Sequence, residues 1–241
     1  MTNQPATLPD AADLPTLVRW HRAFRALSRV LMNPEETDQV LVFSNLANAG
    51  QRDERIHLFY DNPRGKRLYD EKRTIDSHTV DLDALAALPA GTLGHAYATF
   101  MRSHGLTPDV FDGRPADVRD DRSAYVIQRM RQTHDLWHVV TNAETDPAGE
   151  VALQAFTYAQ MHAPSSGILA ALGMLRTLRY TREVVRDVID MYRLGRTAEP
   201  LAIFPWEDHW ATPIVDVRRM LKLPVNPRPI GGYTAELMEA A

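Results

Sequence analysis

Apolar residues recur at spacings of three and four along most of this chain, and that period constrains the fold more than any other feature. Between Leu14 and Met32, the apolar Leu17, Trp20, Phe24, Leu27 and Leu31 share a helical face. Arg19, Arg22, Arg25 and Arg29 recur on another, and Asn33-Pro34 is expected to end the helix. A second helix is expected from about Glu36 to Asn48, stopped at Gly50. Gln51 to Asp81 is charged and carries the turn-like "DNPRG", so it reads as either a helical arm or an irregular loop. "DLDALAALPAGTLGHAYATFMRSHGLTPD" predicts a short helix, a Pro/Gly turn and a helix closed by Gly105. "DDRSAYVIQRMRQTHDLWHVVTNAE" predicts a long helix, Pro147 and Gly149 a break, and "EVALQAFTYAQMHA" the next helix. Residues 166–196 hold one long helix or two shorter ones, and "TPIVDVRRMLKL" a last short one. No stretch alternates in the way a strand and hairpin require. The economical reading is all-α, a single multi-helix domain over 1–241, with N-terminal helices at about 14–50.

Composition narrows the function classes. A formal net charge of −4 gives no excess of cations to neutralise phosphates, so no nucleic acid partner is expected. The chain has no cysteine, which excludes disulfides, iron–sulfur ligation and thiolate zinc sites. "MTNQPATLPDAADLP" lacks the basic and apolar regions of a secretory signal. The most apolar run, "GILAALGML" at 167–175, is too short to span a bilayer. A cytoplasmic protein, soluble or peripheral on a membrane, is the expectation.

The chemistry concentrates in "HDLWHVVTNAETDPAGE", residues 134–150. At about 100° per residue, His134 and His138 lie within about 40° on one helical face, one turn apart. Asp135 is close enough to be a third ligand or to support one. The turn at Pro147 brings the following helix back antiparallel, with Glu150 in its first turn, where the helix dipole favours a carboxylate. Two imidazoles and a carboxylate suit zinc, iron, manganese or cobalt, and the expected metal site is shared by two consecutive antiparallel helices. This is not the H-E-x-x-H pattern, because Asp135 stands where that motif has its general base. Arg131 shares the face of His134 and His138 and is suited to hold a substrate carboxylate. Gln154 and Tyr158 on the facing helix are expected to pack and hydrogen-bond rather than react.

"AYVIQRMRQTHDLWHVVTNAETDPAGEVALQAF" resembles the central segment of the ubiquinone biosynthesis protein Coq-four family. That family's mark, H-D-x-x-H followed after eleven residues by E, is met by His134, Asp135, His138 and Glu150. "GTLGHAYATFMRSHGLTPD" and "WEDHWATPIVDVRRMLKL" resemble two further segments of the family, so the likeness covers roughly 90–225. Trp137 and Asn142 depart from its commoner residues, a smaller aromatic and Gly. The resemblance implies an all-α homodimer that binds a divalent metal and an isoprenoid lipid, a polyprenylated aromatic. It would work beside other ubiquinone biosynthesis proteins on the inner face of the cell membrane, or on the mitochondrial inner membrane in a eukaryote. The implied activity is a metal-dependent oxidative decarboxylase that replaces the C1 carboxylate of a polyprenylated hydroxybenzoate by hydroxyl. Zn2+ is the metal the family implies; Fe, Mn and Co offer the redox chemistry zinc lacks, and Mg also fits such a site.

Two rival readings are weighed against this one. An HD-type phosphohydrolase would need further ligands, for which His95 and Asp187 are candidates. A non-catalytic lipid-binding scaffold would use the metal only to tie two helices. The other histidines (His21, His57, His78, His95, His104, His162, His209) are expected at the surface or in hydrogen bonds, with His209 in "PWEDHW" the one to follow. Membrane contact is expected from residues 165–195. Taken as one helix, they place Leu178, Val185, Val188 and Tyr192 on one face and Arg179, Arg182, Arg186 and Arg193 on another. Pairs Arg179–Glu183 and Arg186–Asp190 would brace the arginine stripe in a purely structural helix.

Overall fold

The computed structural model describes residues 10–32, 37–109 and 118–233. These residues form a single helical domain with no strand among them. The helices are α1 (Thr16–Met32), α2 (Thr37–Asn48), α3 (Arg52–Tyr60), α4 (Pro63–Asp70), α5 (Leu82–Ala86) and α6 (Leu93–Ser103). They continue with α7 (Asp121–Thr141), α8 (Pro147–Met161), α9 (Pro164–Thr177), α10 (Glu183–Thr197) and α11 (Ile214–Met220). Side-chain caps begin several of them: Asp81, Thr92, Asp120 and Asp146 accept from the first-turn N–H groups of α5, α6, α7 and α8. Proline opens α4, α8 and α9, where a missing N–H costs nothing. Gln51–Asp81 is largely helical, in α3 and α4, and the "DNPRG" turn is the junction between them, with Asn62 capping α4. The predicted stop at Asn33-Pro34 and the start at Glu36 lie outside the described residues.

The core divides unequally. The larger cluster is built around Tyr97 of α6, Trp137 of α7, Phe156 of α8, Met191 of α10 and Trp206. The smaller joins α1 to α2 through Ala23, Ala26, Leu27, Phe43 and Leu46, and Ile168, Leu169 and Leu172 of α9 pack against it. A cavity of about 220 Å³ lies along the seam, between α2 and α3 on one side and α7, α8 and the start of α9 on the other.

The apolar stripe on α1 is only partly covered: Leu27 is buried and Trp20 half-buried, but Leu17 is 86% exposed and Phe24 57%. α1 meets α2 through Ala23 and Ala26, whose small side chains fit a close helix contact and turn the larger apolar residues outward. Of the two alternatives for residues 166–196 the structure takes two helices, which corrects the shared arginine face drawn on one. Leu178 to Arg182 form the break, and the Thr181 hydroxyl bonds both the Glu183 carboxylate and its N–H at the start of α10. Arg179 and Arg182 therefore lie in a turn and share no helical face with Arg186 and Arg193. Glu183 is engaged by Thr181, whereas the expected Arg186–Asp190 pair is formed at 3.5 Å.

The late "PWEDHW" segment is held to the core by a buried ion pair. Arg129 of α7, with its side chain fully buried, grips Glu207 with both terminal nitrogens and donates to the Phe204 carbonyl at 3.2 Å. Removing one partner strands the other charge in a dry site. Arg129→Ala is expected to lower unfolding free energy by about 3–5 kcal/mol in urea titration. The double variant Arg129→Met/Glu207→Leu should recover most of that loss. A double variant as unstable as the single would show that shape, not charge pairing, is what the site requires.

Candidate metal centre

α7 reads through the metal motif and stops at Thr141. Asn142 takes a left-handed conformation (φ 59°) and its N–H returns to the His138 carbonyl. Asparagine is the side-chain-bearing residue that best tolerates this conformation, which accounts for Asn at this cap. Five residues after Asn142 α8 begins, capped by Asp146 and opened by Pro147. Gly149 packs directly on the loop: a Cβ there would stand 2.1 Å from the Glu144 carbonyl oxygen. This tight reversal sets Glu150 against the last turns of α7.

Three donor groups converge as a result, one nitrogen from each of His134 and His138 and an oxygen of Glu150, all within 4.8 Å of one another. Among the described residues they are the one such group. His138 Nε2 is 3.1 Å from Glu150 Oε1, and His134 Nε2 is 3.9 Å from Oε2. His138 is buried, and Phe100 stacks on its ring at 5.7 Å. Its Nδ1 lies 3.0 Å from the Ala143 carbonyl, an acceptor only, so Nδ1 carries a proton. In the neutral ring Nε2 is then a bare lone pair, and it is a buried atom without a hydrogen-bond partner facing a carboxylate. Two acceptors at this distance repel unless a cation or a proton lies between them. Donors about 2.0–2.2 Å from one ion stand roughly 3.0–3.4 Å apart at angles between 90° and tetrahedral. The His138–Glu150 pair meets that span, and His134, half-exposed, is close enough to complete the set by a small rotation. The residues fit a divalent metal.

The charges are mutually supporting. Burial alone would lower the pKa of His134, but the adjacent Asp135 and the charge of Glu150 outweigh it and hold it above the ordinary histidine value. Burial would raise that of Glu150; a positive charge on the imidazoles, with His138 donating at the contact, brings it below the usual carboxylate range, the same demand for a cation between these donors. Asp135 is not among the three converging donors. Its Oδ1 sits 3.7 Å from His134 Nδ1, on the far edge of that ring, where it can orient the imidazole and strengthen it as a ligand. Arg131 lines the cavity beside His134 and donates to Asn45 Oδ1 at 3.2 Å. Gln154 also lines the cavity, while Tyr158 stacks on Tyr192.

The additional ligands needed by a phosphohydrolase are elsewhere. His95 Nδ1 contacts the Ala86 and Leu88 carbonyls, and Asp187 is buried against Arg228 at 2.7 Å and the Gly231 N–H at 3.0 Å. His209 stacks on Phe204 and bonds Thr212.

Asp187 instead anchors a part of the site that its sequence motif does not announce. Residues 225–233 run as a strap across the α7–α8 loop. Ile230 pairs with the loop on both sides, its N–H to the Asn142 carbonyl at 3.0 Å and its carbonyl to the Glu144 N–H at 2.9 Å. The strap is fastened by Asp187, which takes both the Gly231 N–H and Arg228, and by Asp190, 2.9 Å from Arg228. Ala143, whose carbonyl fixes the His138 tautomer, is thus clamped from outside.

The family model for coenzyme Q (ubiquinone) biosynthesis protein Coq4 matches residues 9–227. The chain belongs to the Coq4 family. The match takes in the N-terminal helices as well as the segment from 90 onward. Relatives include the mitochondrial ubiquinone biosynthesis protein COQ4 of Coprinopsis cinerea, 32% identical over 66% of this chain and 55% of that protein. That of Pyricularia oryzae is 30% identical over 82% of this chain and 66% of its own length, and the Rattus norvegicus homolog 27% over 93% and 85%. The chain therefore spans between about half and two thirds of the fungal Coq4 proteins it matches. A crystal structure of a candidate ubiquinone biosynthesis protein from Nostoc punctiforme superposes with a TM-score of 0.69. It is 28% identical, and the match covers 86% of this chain and 98% of that one.

The strap is expected to make a measurable difference to metal binding by these donors. His138→Ala removes a donor and should abolish stoichiometric zinc or cobalt binding in equilibrium dialysis. Asp187→Asn keeps all three donors but unfastens the strap, and it is expected to weaken metal affinity roughly tenfold, the size of an outer-contact loss. Unchanged affinity in a folded Asp187→Asn protein would show that the strap only closes the surface.

Proposed function

We propose that this chain serves ubiquinone biosynthesis as a metal-dependent protein that holds a polyprenylated hydroxybenzoate-type lipid and promotes exchange of its C1 carboxylate for hydroxyl at a membrane surface. The observation that carries the reading is the cluster of His134, His138 and Glu150, with His134 opening onto a cavity whose wall also bears Arg131. The middle of that cavity is apolar, lined by Leu41, Val126, Ile127, Met130 and Trp137, and suits a prenyl chain. Bound to the two imidazoles and the carboxylate, a divalent ion would acidify a phenol or, if iron, manganese or cobalt, supply one-electron chemistry.

The protein's own groups then have distinct tasks. Arg131 holds the carboxylate that leaves as carbon dioxide, while an external oxidant provides the incoming oxygen. The His138 Nδ1–H to Ala143 contact keeps Nε2 unprotonated and directed at the centre, and Asp135 orients His134. The buried Trp137, packed on Phe156, closes one side of the cavity to water. Purified, metal-loaded protein supplied with dioxygen and a reductant that takes the second oxygen atom to water should convert a prenylated 4-hydroxybenzoate to its C1-hydroxylated product with release of carbon dioxide. Lipid binding without any turnover would favour the scaffold reading instead. Arg131→Leu should weaken the carboxylated substrate at least roughly tenfold more than the decarboxylated product, the worth of a charge-assisted contact. Equal losses would make Arg131 a structural partner of Asn45.

Peripheral membrane attachment belongs to the same reading. No helix among the described residues is long and apolar enough to cross a membrane. The tip between α9 and α10 presents exposed Leu175 and Tyr180 next to exposed Arg176, Arg179 and Arg182. Apolar side chains flanked by arginines suit the headgroup layer of an anionic bilayer. Binding to phosphatidylserine-containing liposomes is expected at low salt and should be lost in Arg179→Glu/Arg182→Glu. A folded, metal-loaded protein that ignores such liposomes would remove the membrane half of the reading and leave the metal centre untouched. The proposed homodimer is checked by the particle mass in the same samples.

A further inference from the structure

The cavity wall carries further cationic groups besides Arg131. α3 carries Arg52 and Arg55 one helical turn apart, and both line the cavity with Asn48, Ser165 and Ser166. The two arginines are in different electrostatic situations. Arg52 is neutralised by Asp10, Nη1 to Oδ1 at 2.6 Å. Arg55 has no such carboxylate. Its Nη2 donates to the Asn48 carbonyl at 2.5 Å, and its Nη1 is buried without an acceptor. The adjacent Glu54 points its carboxylate to His162, 3.6 Å away and more than half exposed. Burial, reinforced by the charge of Arg52 and partly offset by that of Glu54, pushes the Arg55 pKa down to about 10, which still leaves it protonated at neutral pH.

A positive charge thus sits in the cavity wall with a buried part of its donor fork unused. A half-buried cation whose neighbouring carboxylate, Glu54, is turned to His162 is a costly arrangement for a fold to hold. Its ordinary resolution is an anion from outside. The fork geometry of guanidinium matches carboxylate or phosphate oxygens. Along α7 the wall runs from His134 back to Val126, eight residues or about 12 Å by helix rise, with Arg131 next to His134 and the apolar Met130, Ile127 and Val126 beyond it. A ligand whose charged group meets Arg55 would lay an apolar body against those side chains.

We propose that Arg55, with Arg52 beside it, forms an anion subsite that takes the carboxylate or phosphate of an amphiphile bound in this cavity. The subsite is independent of the metal and of the reaction proposed above, so it is tested on metal-free, full-length protein. Octanoate and octyl phosphate supply the two kinds of anion, and octanamide is the uncharged counterpart of similar shape. By calorimetry, at least one of the anions should bind roughly tenfold or more tightly than octanamide. Arg55→Met should erase that preference while Arg131→Leu keeps it. Ligand-free Arg55→Met should also melt at or above the wild-type temperature, because it removes a charge whose buried Nη1 has no acceptor and keeps the apolar stem. Arg55→Gln is the second variant, for the case in which Met prevents folding, and reads the same way. No preference for either anion in the wild type would overturn the proposal. So would a preference that survives Arg55→Met and disappears in Arg131→Leu, because the anion would then be at the metal end.

Discussion

The reversal between α7 and α8 is the constraint on which the site depends. Glu150 reaches His138 because the chain turns within a few residues, and each of those residues has a steric or hydrogen-bonding reason to be there. Asn142 accepts the left-handed cap, Asp146 satisfies the Gly149 N–H, and Gly149 gives the Glu144 backbone room that no side chain would leave. A longer loop would let α8 slide along α7 and separate the carboxylate from the imidazoles. The C-terminal strap closes the same loop from outside through Ile230. Metal donors and scaffold are in this sense one unit, since the carbonyl that sets the His138 tautomer belongs to the loop itself.

How much of this was legible follows from what each feature requires. The convergence of His134, His138 and Glu150 was legible because it needs only helical periodicity and a short turn, both local properties. The all-α class was legible for the same reason. The partners of those residues were not, because they come from distant segments. Nothing near Asp187 announces that it will fasten residue 231, and nothing in "PWEDHW" announces that Glu207 will take a buried Arg129. Asp135, adjacent in sequence, was readable as a neighbour of the site, but sequence spacing could not distinguish a donor from a group on the far edge of an imidazole.

The buried face of α1 and the division of residues 165–195 were not legible for a related reason. A period of three to four identifies a helix and an apolar stripe, but the choice of buried face is made by whichever contact allows closest approach. In α1 that contact runs through alanines, so Leu17 and Phe24 remain outside. In residues 165–195 a hydroxyl cap at Thr181 competes successfully with helix continuation, and the arginine stripe is divided between a turn and α10. Redistribution changes the surface more than it weakens it. Leu175, Tyr180 and three arginines are gathered at one tip, a smaller footprint than a helix face but one with both apolar and cationic parts.

The cavity connects these findings energetically. Its polar groups are of two kinds: at the His134 wall, carboxylate and imidazoles combine into a site that favours a cation; on α3, Arg55 keeps a buried donor without an acceptor. Leu41, Val126, Ile127 and Met130 line the same cavity, and their low polarity strengthens the fields of the charges beside them. On the proposal made for Arg55, an amphiphile in the metal-free cavity would keep its anion away from Glu150. A metal held by His134, His138 and Glu150 would neutralise that carboxylate and, with Arg131 close by, make that wall attractive to an anion as well. Metal loading would then set whether the cavity offers an anion one partner or two.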